Sequence, residues 1–203
     1  VHFAVMTSGY NSVTNGFLRD SLKMTLDFLE DDKIQMVHYP DFFEEGYKHK
    51  YDKDIYHYLD SVASDDQYQM NRGFCHRLLR CSVVVWQFKG LEELKAKYRE
   101  VINVLDNCYD GEPNTPDLQQ LKGMIREFEE ELVWAYNGVQ VNNVHHLHLG
   151  FYQDKGITKG VNVERDVKPI LNQFREINPD IIPEKGIKDE NILATPVHLK
   201  VWQ

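Results

Sequence analysis

Residues 139–149 read V-Q-V-N-N-V-H-H-L-H-L, and this stretch decides the fold that the sequence predicts. Apolar and polar residues alternate along it, as they do in a strand with one buried face. The chain begins with another apolar run, V-H-F-A-V-M over residues 1–6, which leads into small polar residues typical of a loop. Two further runs, residues 34–39 and 192–202, also have the composition of strands. We therefore predict a sheet that includes strands from both ends of the chain.

The residues between these strands show helical periodicity. Leucines recur at spacings of four, four and three from Leu18 to Leu29, and Thr14 or Asn15 is placed to cap that helix. Further apolar stripes at helical spacing cover residues 51–62, 70–88, 91–105, 118–132 and 167–177. Gly90 is predicted to end the second of these stripes, because glycine is favoured just after a helix.

Together these patterns predict a helix-rich fold of the α+β or α/β class. The N- and C-terminal strands form one small sheet, and a helical block at about 50–137 is inserted between them. We expect residues 1–203 to form a single globular domain, because a chain of this length buries roughly two-thirds of its unfolded surface.

Charge and composition limit the classes of partner. The chain has 32 acidic and 23 basic side chains and a formal charge of −9, which argues against binding to a nucleic-acid backbone. No run approaches the ~18 apolar residues of a membrane span. Cys75, Cys81 and Cys108 are odd in number and lack a C-x-x-C spacing, which favours free thiols in a reducing compartment. We expect a cytoplasmic protein that binds neither nucleic acid nor membrane.

Three histidines lie close together at His145, His146 and His148. On a strand, His146 and His148 share one face and His145 points to the other. Such a pair suits acid/base catalysis or the start of a site for a divalent metal, Zn or Mn, with His198 as a third ligand. Other residues that could complete the site are His38, Asp154 and Asp189. The alternative is that one imidazole is a hydrogen-bonded core side chain and the others face water.

The loop at residues 7–16, T-S-G-Y-N-S-V-T-N-G, is a predicted anion site. It joins the first strand to the first helix, where backbone N–H groups of an open α/β sheet receive anions. The candidate anion-binding residues in the loop are Ser8, Gly9, Ser12 and Thr14. The loop matches neither the P-loop nor the G-x-G-x-x-G pattern, so a plain turn with a helix cap is the alternative.

A cluster of basic residues lies on the helix predicted at 70–88. Arg72, His76 and Arg80 are spaced four apart and therefore share a face. Arginine's planar fork suits a phosphate or carboxylate, so we consider Arg72 and His76 as catalytic residues and Arg80 as an anion ligand. The alternative is that these residues form ion pairs with nearby carboxylates, such as those of residues 65–66 or 44–45.

Residues 39–58 combine five tyrosines and two phenylalanines with many charges. An exposed surface of this kind suits a basic protein partner, because aromatic side chains supply large contact areas. The alternative is a long connection whose rings cover the core.

Two functional hypotheses follow. In the first, the protein is an enzyme acting on a phosphorylated or other anionic small molecule. The loop and the basic helix would hold the anion, and His146 or His148 would act as acid, base or metal ligand. In the second, it is an acidic binding module, such as an inhibitor or immunity-type partner of a basic protein or toxin. The enzyme hypothesis requires the loop, the basic helix and the histidines to converge on one cleft.

Overall fold

The structure is a computed structural model that describes residues 1–48, 51–109, 112–150 and 162–182. It divides into two compact units, Val1–His148 and Leu149–Gln203. The first unit contains a two-stranded sheet and five helices among its described residues. In chain order these are β1 (Phe3–Val5), α1 (Asn15–Glu30), α2 (Tyr51–Ala63), α3 (Gln67–Trp86), α4 (Leu91–Asn107), α5 (Pro116–Tyr136) and β2 (Val144–His146).

The two strands pair in parallel even though the whole helical block separates them in sequence. Phe3 pairs with Val144 and Val5 with His146. Leu147 continues the pairing, because its N–H donates to the Val5 carbonyl at 2.8 Å. The prediction of a helix-rich fold, with strands from both ends in one small sheet and helices between, is confirmed. The predicted strand at 192–202 lies outside the described residues.

The predicted strand at residues 34–39 is wrong. The chain forms a 3₁₀ turn at Gln35–His38 instead. Ile34, Met36 and Val37 are all buried there. A strand would direct the adjacent residues Met36 and Val37 to opposite faces, whereas a tight turn packs both into the core.

Capping explains where the helices begin and end. The Thr14 hydroxyl accepts a hydrogen bond from the Phe17 N–H at 3.0 Å, which confirms Thr14 as the cap of α1. The predicted role of Gly90 at the end of α3 is wrong, because that helix ends earlier, with Gln87 in the left-handed conformation at φ 53°. Gly90 instead precedes the first residue of α4.

Apolar faces of α1, α3, α4 and α5 meet in one core. The leucines that predicted α1 contribute Leu18 and Leu22, both fully buried. Tyr98 of α4 is also fully buried, and its hydroxyl lies 2.7 Å from the Ser82 hydroxyl of α3. A buried phenol needs such a partner, so this hydrogen bond fixes α3 and α4 against each other.

Two buried ion pairs connect α3 to its neighbours. Arg80 Nε lies 2.8 Å from Asp54 Oδ2 on α2, and Arg77 Nη2 lies 2.8 Å from Glu131 Oε2 on α5. Arg80 also donates to the Gly46 carbonyl at 3.0 Å. Burial raises the pKa of Asp54 to about 6, while the positive charges of Arg80 and Arg77 act in the opposite direction. These contacts fix the arrangement of α2, α3 and α5.

The second unit contains α6 (Lys168–Ile177), which follows a π-turn at Val163–Val167. Asp166 accepts hydrogen bonds at 2.8 Å from the N–H groups of Gly150 and Asn162, and its pKa is held far below the usual range by Arg165 and these donors. Within the ranges that the structure describes, no helix is both long and apolar enough to cross a membrane.

We predict that Asp54→Ala lowers the free energy of unfolding by about 3–5 kcal/mol, because it leaves the buried Arg80 without its carboxylate. Asp52→Ala is the matched control on the same helix, because Asp52 is exposed and its loss removes less than about 1 kcal/mol. Urea denaturation of both variants measures the difference. Equal losses would mean that the buried pair does not stabilise the fold.

Candidate functional site

The carboxyl ends of β1 and β2 lie at the same edge, because the strands are parallel. The loop at residues 7–16 follows β1 at this edge, and His148 follows β2. Ligands of open α/β sheets bind beyond the carboxyl ends of the strands. The structure therefore brings together two features that the sequence singled out, and we call this place the carboxyl edge.

One face of α5 lies under the carboxyl edge. Gly123 and Glu127 are four residues apart, so they share that face and lie about 6 Å apart along the helix axis. A Cβ atom at Gly123 would lie 3.4 Å from Ser8 Cβ. Glu127 Oε1 lies 2.9 Å from His148 Nε2. Ser8 and His148 therefore contact α5 one turn apart.

His146 is held one turn further along the same helix. Its Nε2 lies 3.6 Å from Glu131 Oε1, and Glu131 is the carboxylate that pairs with Arg77. The rings of His146 and His148 have centroids 6.4 Å apart. His145 points to the other side of the strand, where its Nε2 lies 2.9 Å from His2 Nδ1. His146 and His148 therefore point towards α5 and His145 points away from it, as the alternation of the sequence predicted.

His148 has an unusual backbone conformation and an accessible side chain. Its φ of 51° lies in the left-handed region, which is uncommon for a residue with a side chain. The side chain is 50% exposed, whereas that of Glu127 is only 14% exposed. The hydrogen-bonding carboxylate of Glu127 raises the pKa of His148, against a smaller opposing effect of burial. The protonated imidazole can therefore donate a proton to a bound molecule.

The loop approaches α5 closely at Gly9. This residue has φ 61°, and a Cβ atom there would lie 3.4 Å from Cγ of Arg126. The Arg126 guanidinium pairs with Glu129 and, at 3.8 Å, with Glu130. The guanidinium beside the loop that was predicted to bind an anion is therefore already paired with two carboxylates.

The other two predicted loop residues have different surroundings. Ser12 is exposed in the 3₁₀ turn at Tyr10–Ser12. Thr14 uses its hydroxyl oxygen to cap α1. Of the four candidate anion-binding residues in the loop, Ser8, Gly9 and Ser12 are not used in that cap.

A buried lysine that the sequence patterns did not single out lies beside the loop. Lys122 is 4% exposed, and its Nζ donates at 2.6 Å to the Oδ1 atoms of both Asn15 and Asn114. Burial lowers its pKa. This lysine fixes the start of α1 against α5, and therefore fixes the end of the loop.

Arg72 and His76 lie elsewhere, in a cleft between α2 and α3 with a volume of about 190 Å³. The residues lining this α2–α3 cleft are Asp54, His57, Asp60, Ser61, Gln69, Arg72, Gly73 and His76. None of the carboxyl-edge residues lines it. Arg80 is paired with Asp54, which is one of the residues that line the cleft. The convergence of the loop, the basic helix and the histidines on one cleft, which the enzyme hypothesis required, is not found.

The predicted metal site is only partly within the described residues. Among those residues, no group of three or more His, Cys, Asp or Glu side chains is arranged to hold a metal ion. His38 is paired with Asp32, with 2.7 Å between Nε2 and Oδ1. His198, Asp154 and Asp189 lie outside the described residues, so a Zn or Mn site at His146, His148 and His198 stays a prediction.

The aromatic side chains of residues 39–58 are divided between core and surface. Phe42 is fully buried, and Phe43 and Tyr47 pack against the same core. Tyr39 and Tyr56 are exposed. Several rings of the predicted protein-binding surface therefore cover the core, as the alternative interpretation of this segment proposed.

We predict that Glu127→Gln lowers the pKa of His148, because the substitution removes the negative charge that favours the imidazolium. The raised pKa of His148 stabilises the folded protein fully at pH values below the ordinary histidine pKa of 6.5. This stabilisation is lost as the pH rises through the raised pKa of the folded state. NMR titration of the His148 ring measures the change. Glu129→Gln on the same helix is the control, and an equal shift in both variants would contradict a specific pair.

We also predict that Gly9→Ala lowers the free energy of unfolding by about 1–2 kcal/mol, because φ 61° disfavours a Cβ atom. Gly16→Ala is the control, since Gly16 lies in the first turn of α1 and alanine there is neutral or stabilising by up to about 1 kcal/mol. Thermal denaturation compares the two. A Gly9→Ala protein as stable as the wild type would show that the loop does not require the left-handed conformation.

Comparison with known proteins gives one informative similarity. No protein-family model matches the chain, and no solved structure matches it. The chain is 35% identical over 94 residues to a Bacteroides thetaiotaomicron protein named "Putative glucosamine-6-phosphate deaminase-like protein". The matched stretch covers 45% of this chain and 14% of that protein, so the chain spans only a small part of its relative's length.

Proposed function

We propose that this chain belongs to an enzyme that acts on a phosphorylated or other anionic small molecule at the carboxyl edge. The observation that carries the proposal is the pair of His148 and Glu127, 2.9 Å apart, beside the loop containing Ser8 and Gly9. The name of the similar Bacteroides protein refers to a phosphorylated amino sugar, which is an anionic small molecule. Amino sugar phosphates are therefore the first compounds to test.

Each group has a role that follows from its surroundings. Ser8, Ser12 and the backbone N–H groups around Gly9 would receive the anion. His148 would act as a general acid, because Glu127 favours its protonated form.

His146 would act as a supporting residue in this arrangement. Its side chain is only 12% exposed and lies against Glu131, which is fixed by Arg77. It holds the end of β2 in place and so fixes the backbone from which His148 projects.

The test uses glucosamine 6-phosphate and related hexosamine phosphates with the wild-type protein. Binding is measured by calorimetry, and turnover by release of ammonia or of the free sugar phosphate. We predict that His148→Gln lowers kcat by about 10²–10⁴-fold with little change in KM, since it removes only the acid. His145→Gln is the control, because His145 lies on the other side of the strand.

The pH dependence gives a second criterion. Activity that needs protonated His148 falls as pH rises through its raised pKa, and Glu127→Gln moves that fall to lower pH. Full activity in His148→Gln would refute the catalytic role. Absence of binding by every anionic compound tested would refute the substrate class.

A further inference from the structure

The α2–α3 cleft contains an arginine that is not used by a carboxylate. Arg72 donates from Nε to the Lys33 carbonyl at 3.3 Å and from Nη1 to Gln69 Oε1 at 3.5 Å. Among the described residues it forms no ion pair, although the chain has nine more acidic than basic side chains. A guanidinium fork with only these long contacts retains donors for a planar or tetrahedral oxyanion.

His76 provides a second group without a partner in the same cleft. Its Nε2 is buried and has no hydrogen-bond partner among the residues that the structure describes. Burial lowers its pKa to about 4, with further lowering by the positive charge of Arg72 and by Arg80 and His57. Buried polar atoms in proteins almost always form a hydrogen bond, so this nitrogen favours the entry of a polar group into the cleft.

The carboxylates around the cleft do not cancel the charge of Arg72. Asp54 is occupied by Arg80, with 2.8 Å between Oδ2 and Nε. Asp60 is exposed, so it lies at the water-facing rim, and His57 is exposed beside it. Asp60 would accept a hydrogen bond from a hydroxyl or amine group of a ligand whose anionic group lies deeper, against Arg72 and His76.

The cleft shares no lining residue with the carboxyl edge, and aromatic packing holds α5 against α2 and α3. The Phe128 ring contacts Tyr58 of α2, with centroids 5.5 Å apart, and Phe74 of α3, with centroids 6.0 Å apart. With a volume of about 190 Å³, the cleft is smaller than the roughly 300–1,000 Å³ of typical ligand pockets. It can hold one small charged group but not a large cofactor.

We propose that the α2–α3 cleft is a second binding site, specific for the phosphate group of a small polar phosphomonoester, with Arg72 and His76 as its ligands. This site goes beyond the proposed enzyme function, since none of its residues belongs to the carboxyl edge. It gives Arg72 and His76 a binding role in place of the catalytic role that the sequence suggested.

The experiment titrates inorganic phosphate into the full chain and follows the His76 ring by NMR, with calorimetry in parallel. We expect saturable binding, a shift of the His76 ring signals and a rise in the His76 pKa, because a bound anion favours the imidazolium. Arg72→Gln should weaken phosphate binding at least tenfold, and Arg72→Lys should restore part of it. Arg99→Gln is the matched control, because Arg99 lies on α4 and pairs with Glu30 at 2.6 Å.

Two results would overturn the proposal. One is the absence of saturable phosphate binding at millimolar concentrations in wild-type protein. The other is phosphate binding at a different place. It would appear as an affinity that Arg72→Gln leaves unchanged, or as shifts in the ring signals of His148 instead of His76. The His148→Gln variant separates the two sites, because it should retain phosphate binding in the cleft even where the proposed enzyme function fails. Circular dichroism of each variant checks that the fold is intact.

Discussion

The structure depends on two arginines that are buried in the middle of α3. Arg77 and Arg80 each reach a carboxylate on a different helix, Glu131 on α5 and Asp54 on α2. A buried charge without its partner is far less favourable than a buried pair, so each pair strongly restricts the packing of its two helices. Because α5 also supports the sheet, the position of β2 follows from the same pairs.

The repeated four-residue spacing on α5 organises the carboxyl edge. Gly123, Glu127 and Glu131 share one face of α5. Gly123 lies against the loop, Glu127 against His148 and Glu131 against His146. A glycine gives the loop room, while two carboxylates orient the imidazoles. A site supported by one long helix is held more rigidly than one built on loops alone. The two-stranded sheet by itself would not provide this support, because an isolated pair of strands is only marginally stable.

Much of the fold could be predicted because most of its helices have one apolar face. The leucine spacing from Leu18 to Leu29 corresponds to α1, and the strand at 139–149 includes β2. The prediction failed at residues 34–39. The apolar run there is too short to show a pattern that distinguishes a strand from a tight turn. It failed at Gly90 because Gln87 adopts the left-handed conformation that usually marks glycine.

The candidate site was less predictable, for a related reason. The sequence singled out His148 and the loop from local composition, but their partners Arg126 and Glu127 lie in a charged stretch of α5 that resembles a solvated helix face. Glu131 and Lys122 belong to that helix too and are buried, which depends on tertiary packing that spacing does not show. The same limit applies to α3, where Arg72 and Arg80 share a predicted face yet one is available in a cleft and the other is buried in an ion pair.

The parallel pairing of β1 with β2 also has a consequence for how the chain folds. Phe3 cannot meet Val144 until the intervening helices have brought them together, so this contact has one of the longest sequence separations in the first unit. Contacts of long range close large loops and form slowly relative to local helices. During synthesis from the N-terminus, β1 must therefore remain unpaired until α5 and β2 have emerged, and the carboxyl edge is completed only at that late step.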